Sequence, residues 1–226
     1  MSNNIILLAG HTRNLDLCAE SIVKNLCIPN DAKVIGYTYD DIGFWPNNYY
    51  DKNINIRSIW EDSFKDNLSN LYIKNYSPDE INQDNIISKQ LKNNNDQAPT
   101  NHSLSMWRTR LQALSILPKD TNKIILSRPD LQWLEEMHIP AQGLDVIGQK
   151  GIFDDNYFAG PIEEVNILKN IYLQYVNICN KFNISSDTHT VLENYLYSEC
   201  KNLNLLNPNY SRYLILNSPG GKYRVN

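Results

Sequence analysis

The sequence predicts an α/β sandwich built around a mainly parallel sheet, and three observations predict it. The run IILLA (5–9) is continuously apolar, the mark of a strand buried on both faces. A helical pattern follows it, and then a second strand-like run, AKVIGYTYD (32–40), which completes a β-α-β unit with parallel neighbours. The same alternation of short apolar runs and amphipathic segments continues through the rest of the chain.

Each element has its own warrant. Gly10 ends the first strand. Leu15, Cys18, Ala19, Ile22, Val23 and Leu26 recur at helical spacing, with Asn14 placed to cap the helix and Pro29 to follow its end. INIRSIW (54–60) reads as a third strand. Residues 61–100 are polar, rich in Asn and Asp, and weakly patterned, so they read as a helix-containing insertion or a mobile loop. In 101–117, Leu104, Trp107, Leu111, Leu114 and Leu117 share one helical face, and Pro118 stops it. Strands follow at KIILS (123–127) and LDVIG (144–148), with a short strand or turn at NYFAGP (156–161). Two helices are expected over 162–180 and 187–203, and a last strand at RYLIL (212–216). The whole forms one domain, 1–226, carrying the Asn-rich segment as an insertion.

Composition bounds the function. The chain has 226 residues, 42% hydrophobic and 20% charged, enough for a substantial core without metals or disulfides. A net charge of -4 with scattered Lys and Arg leaves no footprint for nucleic acid. Cys18, Cys27, Cys179 and Cys200 form no CxxC pair and no zinc spacing, so reduced, mostly buried thiols are expected. MSNNIILLAG reads as a first strand rather than a signal peptide. No apolar run approaches the ~20 residues of a membrane span. The expected location is cytoplasmic, with peripheral attachment to a membrane left open.

In open parallel sheets, ligands bind beyond the carboxyl ends of the strands. Three charged clusters fall there: GHTRN (10–14), YDD (39–41) and SRPD (127–130). In the first, Gly10 permits a tight turn and Arg13 precedes a helix N-terminus that already favours an anion. A capped turn with a solvated arginine explains the same letters. In SRPD, Pro129 ends strand pairing, so Arg128 and Asp130 leave the sheet. Asp130 suits a hard cation and Arg128 suits phosphate; a surface ion pair is the plain alternative. In IFDDNYFAGP (152–161), a desolvated Asp154 or Asp155 would serve as a general base, though in an extended segment the two cannot face the same way. In SDTHTVLENYLYSEC (186–200), Ser186 or Asp187 can cap a helix, and His189 and Glu193 share a face. GxGxxG, P-loop, GxSxG and HExxH patterns are all absent from the sequence.

The succession IILLAGHTR, AKVIGYTYDD, SMWRTRLQAL, KIILSRPDL, DDNYFAGP and HTVLENYL resembles small GT-A-type glycosyltransferases. These include glycosyltransferase-like proteins of bacterial capsule and lipopolysaccharide loci, with relatives in large viruses. The resemblance covers most of the chain except 61–100, and its specificity lies in the order of short motifs. It implies a GT-A-like, Rossmann-like three-layer α/β/α fold and transfer of a sugar from a nucleotide-diphosphate donor to a glycan or lipid-linked glycan hydroxyl. Inversion at the anomeric carbon is the simpler expectation. By this resemblance Gly10, Arg13, Asp40, Trp107 and Arg128 line the donor site, with Ser105 and Met106 beside Trp107. Asp130 holds Mn2+ or Mg2+, Asp154 or Asp155 acts on the acceptor, and Glu193 supports the acceptor side. One departure stands out: Arg128 occupies the first position of the family's D-x-D acid pair. That departure supports an alternative, a catalytically silent protein of this fold that binds nucleotide-sugar, glycan or partner.

Overall fold

The computed structural model describes residues 3–40, 55–75, 77–92, 101–208 and 212–215. Asp41 and the asparagine run 93–95 lie outside these described residues. In chain order the elements are β1 (Asn4–Ala9), α1 (Leu15–Ile22), α2 (Ile28–Asn30), β2 (Ala32–Tyr39), α3 (Ile56–Phe64) and β3 (Leu68–Lys74). Then come α4 (Pro78–Lys92), α5 (Asn101–Ser115), β4 (Lys123–Ser127), β5 (Leu131–Trp133), β6 (Leu144–Gln149) and β7 (Ile152–Pro161). The last are α6 (Ile162–Val165), α7 (Lys169–Phe182), α8 (Thr188–Glu199), β8 (Leu203–Leu206) and β9 (Tyr213–Ile215). The chain divides into two compact units, one of residues 1–75, 120–139 and 209–226, the other of residues 76–119 and 140–208.

The first unit is a parallel sheet in the order β3-β2-β1-β4. Parallel pairing brings the carboxyl ends of β1, β2 and β4 to one edge, as the sequence pattern requires. Leu8 pairs with both Gly36 and Ser127, so the turns after these strands start at nearly one level. Ile6, Leu7 and Leu8 are fully buried, in keeping with their unbroken apolar run. Helix α1 runs on through a π-helical turn, Val23–Cys27, into α2, further than its apolar stripe alone suggested. Pro29 does not follow the helix but lies within its last turn, α2, after the π-helical turn. Asn14 makes no side-chain cap; its backbone carbonyl accepts the N–H groups of Leu17 and Cys18 instead.

Of residues 54–60, expected as a strand, Ile54 lies outside the described residues, Asn55 is a cap, and Ile56–Trp60 belong to helix α3. Its buried residues Ile56, Ile59, Trp60 and Phe64 follow helical spacing, and the Asn55 side chain caps it from Ser58 N–H. The short window with two alternating isoleucines hid the period that Phe64 completes. The described part of residues 61–100 supplies the sheet's outer strand β3 and helix α4. β3 is half-exposed along its length, which is why its composition looked polar.

In the first unit, Gly36 on β2 makes room for an aromatic cover. A Cβ there would lie 2.6 Å from the Trp60 ring and 2.7 Å from Leu71. Trp60 closes onto the sheet at this point and donates its indole N–H to Thr12 Oγ1 at 2.9 Å. Thr12 in turn meets Thr38 Oγ1 at 3.1 Å. Core packing thus reaches into the turn after β1.

The second unit contains α4 to α8 and the strands β6, β7 and β8, in which β6 pairs antiparallel with β7 and parallel with β8. β8 was not expected; helix α8 ends at Glu199 and Cys200 is already extended. Asp187, one of the two expected caps, accepts the N–H groups of His189 and Thr190, both at 3.0 Å. No helix among the described residues is long and apolar enough to cross a membrane. The four cysteines are free thiols, three of them buried.

Candidate functional site at the strand ends

The turn after β1 and the turn after β4 adjoin. Gly10 adopts φ 139, a value that disfavours any side chain, and a Cβ there would touch Pro129 at 3.6 Å. Its N–H donates to the Tyr37 carbonyl at 3.0 Å, which ties the turn to β2. His11 lies against the Tyr39 ring, with centroids 5.1 Å apart. Arg13 takes φ 28, an unusual backbone for an arginine. Strain of this kind persists only where the surroundings over-determine it, and here Thr12 is pinned by Thr38 and Trp60.

The consequence is a three-residue cluster. Arg128 grips Asp130 with both ends of its fork, Nε to Oδ1 at 2.9 Å and Nη2 to Oδ2 at 2.6 Å. Arg13 Nη1 reaches the same Oδ2 at 3.3 Å. Asp130 is 4% exposed, whereas Arg13 and Arg128 are 14% and 24% exposed. The carboxylate is therefore the most buried member, and the two arginine side chains are the more exposed ones. The following segment is fastened to α1 and its π-helical turn. Trp133 N–H donates to Ser21 Oγ at 2.9 Å, and Asn25 donates to the Trp133 carbonyl at 2.8 Å. Asn30 binds the Met137 carbonyl and the Ile139 N–H, both at 2.7 Å.

This set does not suit a divalent cation. Both oxygens of Asp130 already bind guanidinium groups, and the neighbouring position of the motif is itself an arginine. Among the described residues, no three His, Cys, Asp or Glu side chains gather as a metal site. Asp40, at the end of β2, is exposed, and its N–H donates to the Lys74 carbonyl at 3.1 Å. A separate cleft of about 620 Å3 lies between α1 and the end of α3. Its charged residues, Asp16, Glu20, Lys24, Asp62, Lys65 and Asp66, are of both signs, and no expected site residue borders it.

The remaining expected residues belong to the second unit. Trp107 is 0% exposed and packs its ring against Phe158, so it is a core side chain with no face left for a ligand. Asp154 and Asp155 occupy an irregular stretch of β7. Phe153 pairs with Gly148 and Phe158 with Val146, so the residues between them bulge opposite Ile147. Asp154 Oδ1 accepts the N–H of Asn156 at 2.9 Å and braces that bulge. Asp155 is half-buried, and its carbonyl accepts a hydrogen bond from Arg110. Glu193 accepts the N–H of Gly151 at 2.8 Å, which makes it a clasp on the turn between β6 and β7. His189 Nδ1 lies 2.6 Å from the Phe153 carbonyl and fastens the same strand.

Two arginines were missed by sequence reasoning. Arg110 lies over the Trp107 ring at 4.6 Å while it holds the Asp155 carbonyl. Arg108 is buried with Asp84, at 3.0 Å, and Glu80, at 2.9 Å. The only local signal for both was a pair of arginines on a helix whose neighbours are otherwise core-forming. Compared with known families and with curated proteins, the chain matches none.

Proposed function

We propose that the protein binds a nucleoside diphosphate at the carboxyl edge of its parallel sheet and acts as a nucleotide-sugar glycosyltransferase. The observation that carries this reading is the convergence of Arg13 and Arg128 on Asp130 at that edge. Guanidinium forks match phosphate oxygens in geometry and charge. Gly10 keeps the adjoining turn free of a side chain. In the reaction so assigned, an acceptor hydroxyl loses its proton to a carboxylate and its oxygen bonds to the anomeric carbon. The bond from that carbon to the diphosphate oxygen breaks, and the nucleoside diphosphate leaves with the electron pair. The arginines stabilise the charge that builds on the leaving group. The sequence pattern names Asp154 or Asp155 as the base. Asp155 is the better choice of the two, because Asp154 gives one carboxylate oxygen to the bulge.

Calorimetric titration with UDP, GDP, CDP and dTDP tests the binding step, and mass-spectrometric detection of a glycosylated acceptor tests the transfer. Asp155→Asn should cut transfer by about 100-fold or more while leaving nucleotide affinity within about twofold. Undiminished transfer in both Asp154→Asn and Asp155→Asn would remove the base assignment. The silent-binder reading is favoured by one observation, the pairing of the single acid Asp130 with two arginines; nucleotide binding without transfer to any acceptor is its expected signature.

A further inference from the structure

We propose that Asp130 is a positioning residue that aims Arg13 and Arg128 at the ligand's phosphates, so that diphosphate binding at this edge needs no divalent cation. This rests on the nucleotide reading of the same edge and replaces the expectation of a metal ligand.

Three observations support it. First, the carboxylate is fully engaged: Oδ1 binds Arg128 Nε at 2.9 Å, and Oδ2 binds Arg128 Nη2 at 2.6 Å and Arg13 Nη1 at 3.3 Å. A divalent ion bonds a carboxylate oxygen at roughly 2.0–2.6 Å. It would have to displace two groups of its own sign of charge from a buried acid. Second, the order of exposure is wrong for a metal ligand and right for a clamp. Asp130 is the most buried member, and the Arg13 and Arg128 side chains are the more exposed ones. Third, the surroundings hold the arginines in place at some cost. Arg13 keeps a positive φ, Gly10 packs beside Pro129, and Ser21 and Asn25 pin the strand after Asp130. Pre-arranged donors lose less entropy when a ligand arrives. The buried carboxylate keeps two like charges side by side without their repelling each other out of the site.

The test is calorimetry on the full chain with inorganic pyrophosphate and the four nucleoside diphosphates, each in EDTA and in Mn2+. We expect at least one diphosphate to bind in EDTA, with an affinity that Mn2+ changes by less than about threefold. Arg13→Ala and Arg128→Ala should each weaken it by about tenfold or more in both media. Asp130→Asn should weaken it by about fivefold or more, equally with and without Mn2+. Arg128→Lys keeps the charge but not the fork and should not restore binding. An affinity gain of about tenfold with Mn2+, abolished by Asp130→Asn, would overturn the proposal and make Asp130 a metal ligand. Wild-type affinity of Asp130→Asn in EDTA would remove the positioning role. If that variant does not fold, the wild-type comparison between EDTA and Mn2+ still decides. Pyrophosphate binding without nucleotide binding would keep the clamp and refute the nucleotide reading. No binding of either in EDTA would refute the clamp.

Discussion

The two units each bury an aspartate against arginine, and the two clusters differ in their membership and in how far their arginines are buried. In the second unit Asp84 is 5% exposed and its partner Arg108 only 4%. Tyr172 donates its hydroxyl to Asp84 at 2.7 Å, and Glu80 closes the far side of the guanidinium. Every member but Glu80 is shut away, so the cluster ties α4, α5 and α7 together and offers nothing to a ligand. In the first unit the acid is as deeply buried, but its arginines lie nearer solvent at the strand ends. The same kind of ion pair is thus a fastener in one place and a candidate binding surface in the other. The difference lies in the arginines, buried with two acids and a tyrosine in the second unit and more exposed around a single acid in the first.

The comparison is most sharply broken by truncating the sealed cluster. Arg108→Ala leaves a carboxylate buried with its main counter-charge gone and should cost about 3–5 kcal/mol in urea unfolding. Arg128→Ala leaves Asp130 still paired with Arg13 and close to the edge of the sheet. It should cost about 1–3 kcal/mol, less than Arg108→Ala, with a further loss appearing in diphosphate affinity. Equal stability losses in the two variants would mean that both clusters are fasteners.

The packing beneath the site gives the next effect. Gly36→Ala drives a methyl to within contact of Trp60 and Leu71, and should destabilise by about 1–3 kcal/mol. Because Trp60 holds Thr12, diphosphate affinity should fall with it, whereas a core change in the second unit such as Phe158→Leu should leave that affinity alone. Affinity unchanged in Gly36→Ala would show that Arg13 is held by other contacts.

The smallest effects concern titration. Burial pushes Cys18 and Cys27 up to about 12, with the Asp130 and Asp16 charges adding to the shift at Cys18. A thiol whose folded pKa is raised contributes stability that is complete below its ordinary value of 9.0 and fades as pH climbs toward 12. Both thiols should therefore resist a thiol reagent at pH 8 until the chain unfolds; rapid labelling of the native protein would contradict this burial. Asp187 behaves in the opposite sense. Burial raises its pKa, but hydrogen bonds from Thr190, Ser185 and His189 outweigh that and hold it below the usual carboxylate value. Its contribution is present above pH 3.8 and is lost as pH falls through the lower folded value. Asp187→Ala should cost about 1 kcal/mol at pH 7 and less at pH 3.

What the sequence determined by itself was local. An unbroken apolar run dictates a buried strand, as at Ile5–Ala9, and a proline after a strand dictates its end, as at Pro129. Such features, with the β-α-β pattern, were enough to place β1, β2 and β4, their common carboxyl edge, and the turns carrying Gly10, Arg13, Arg128 and Asp130. Segments whose burial is partial were legible only in part. The helix Ile56–Phe64 imitates an alternating strand over its first residues, and β3 exposes too much of itself to look apolar. Only the tertiary structure decided what the side chains do. Burial of Trp107 depends on Phe158, about fifty residues away in sequence, and makes it core. The hydrogen bond from Gly151 to Glu193 joins residues that no local period connects, and makes Glu193 a clasp. Asp130 meets Arg13 where the turns after the neighbouring strands β1 and β4 adjoin, from a position more than a hundred residues away. Local propensity acts over a few residues, whereas charge and desolvation are set by whatever the fold brings within a few ångströms. For that reason the letters RPD were readable as a strand end, and their pairing with Arg13 was not.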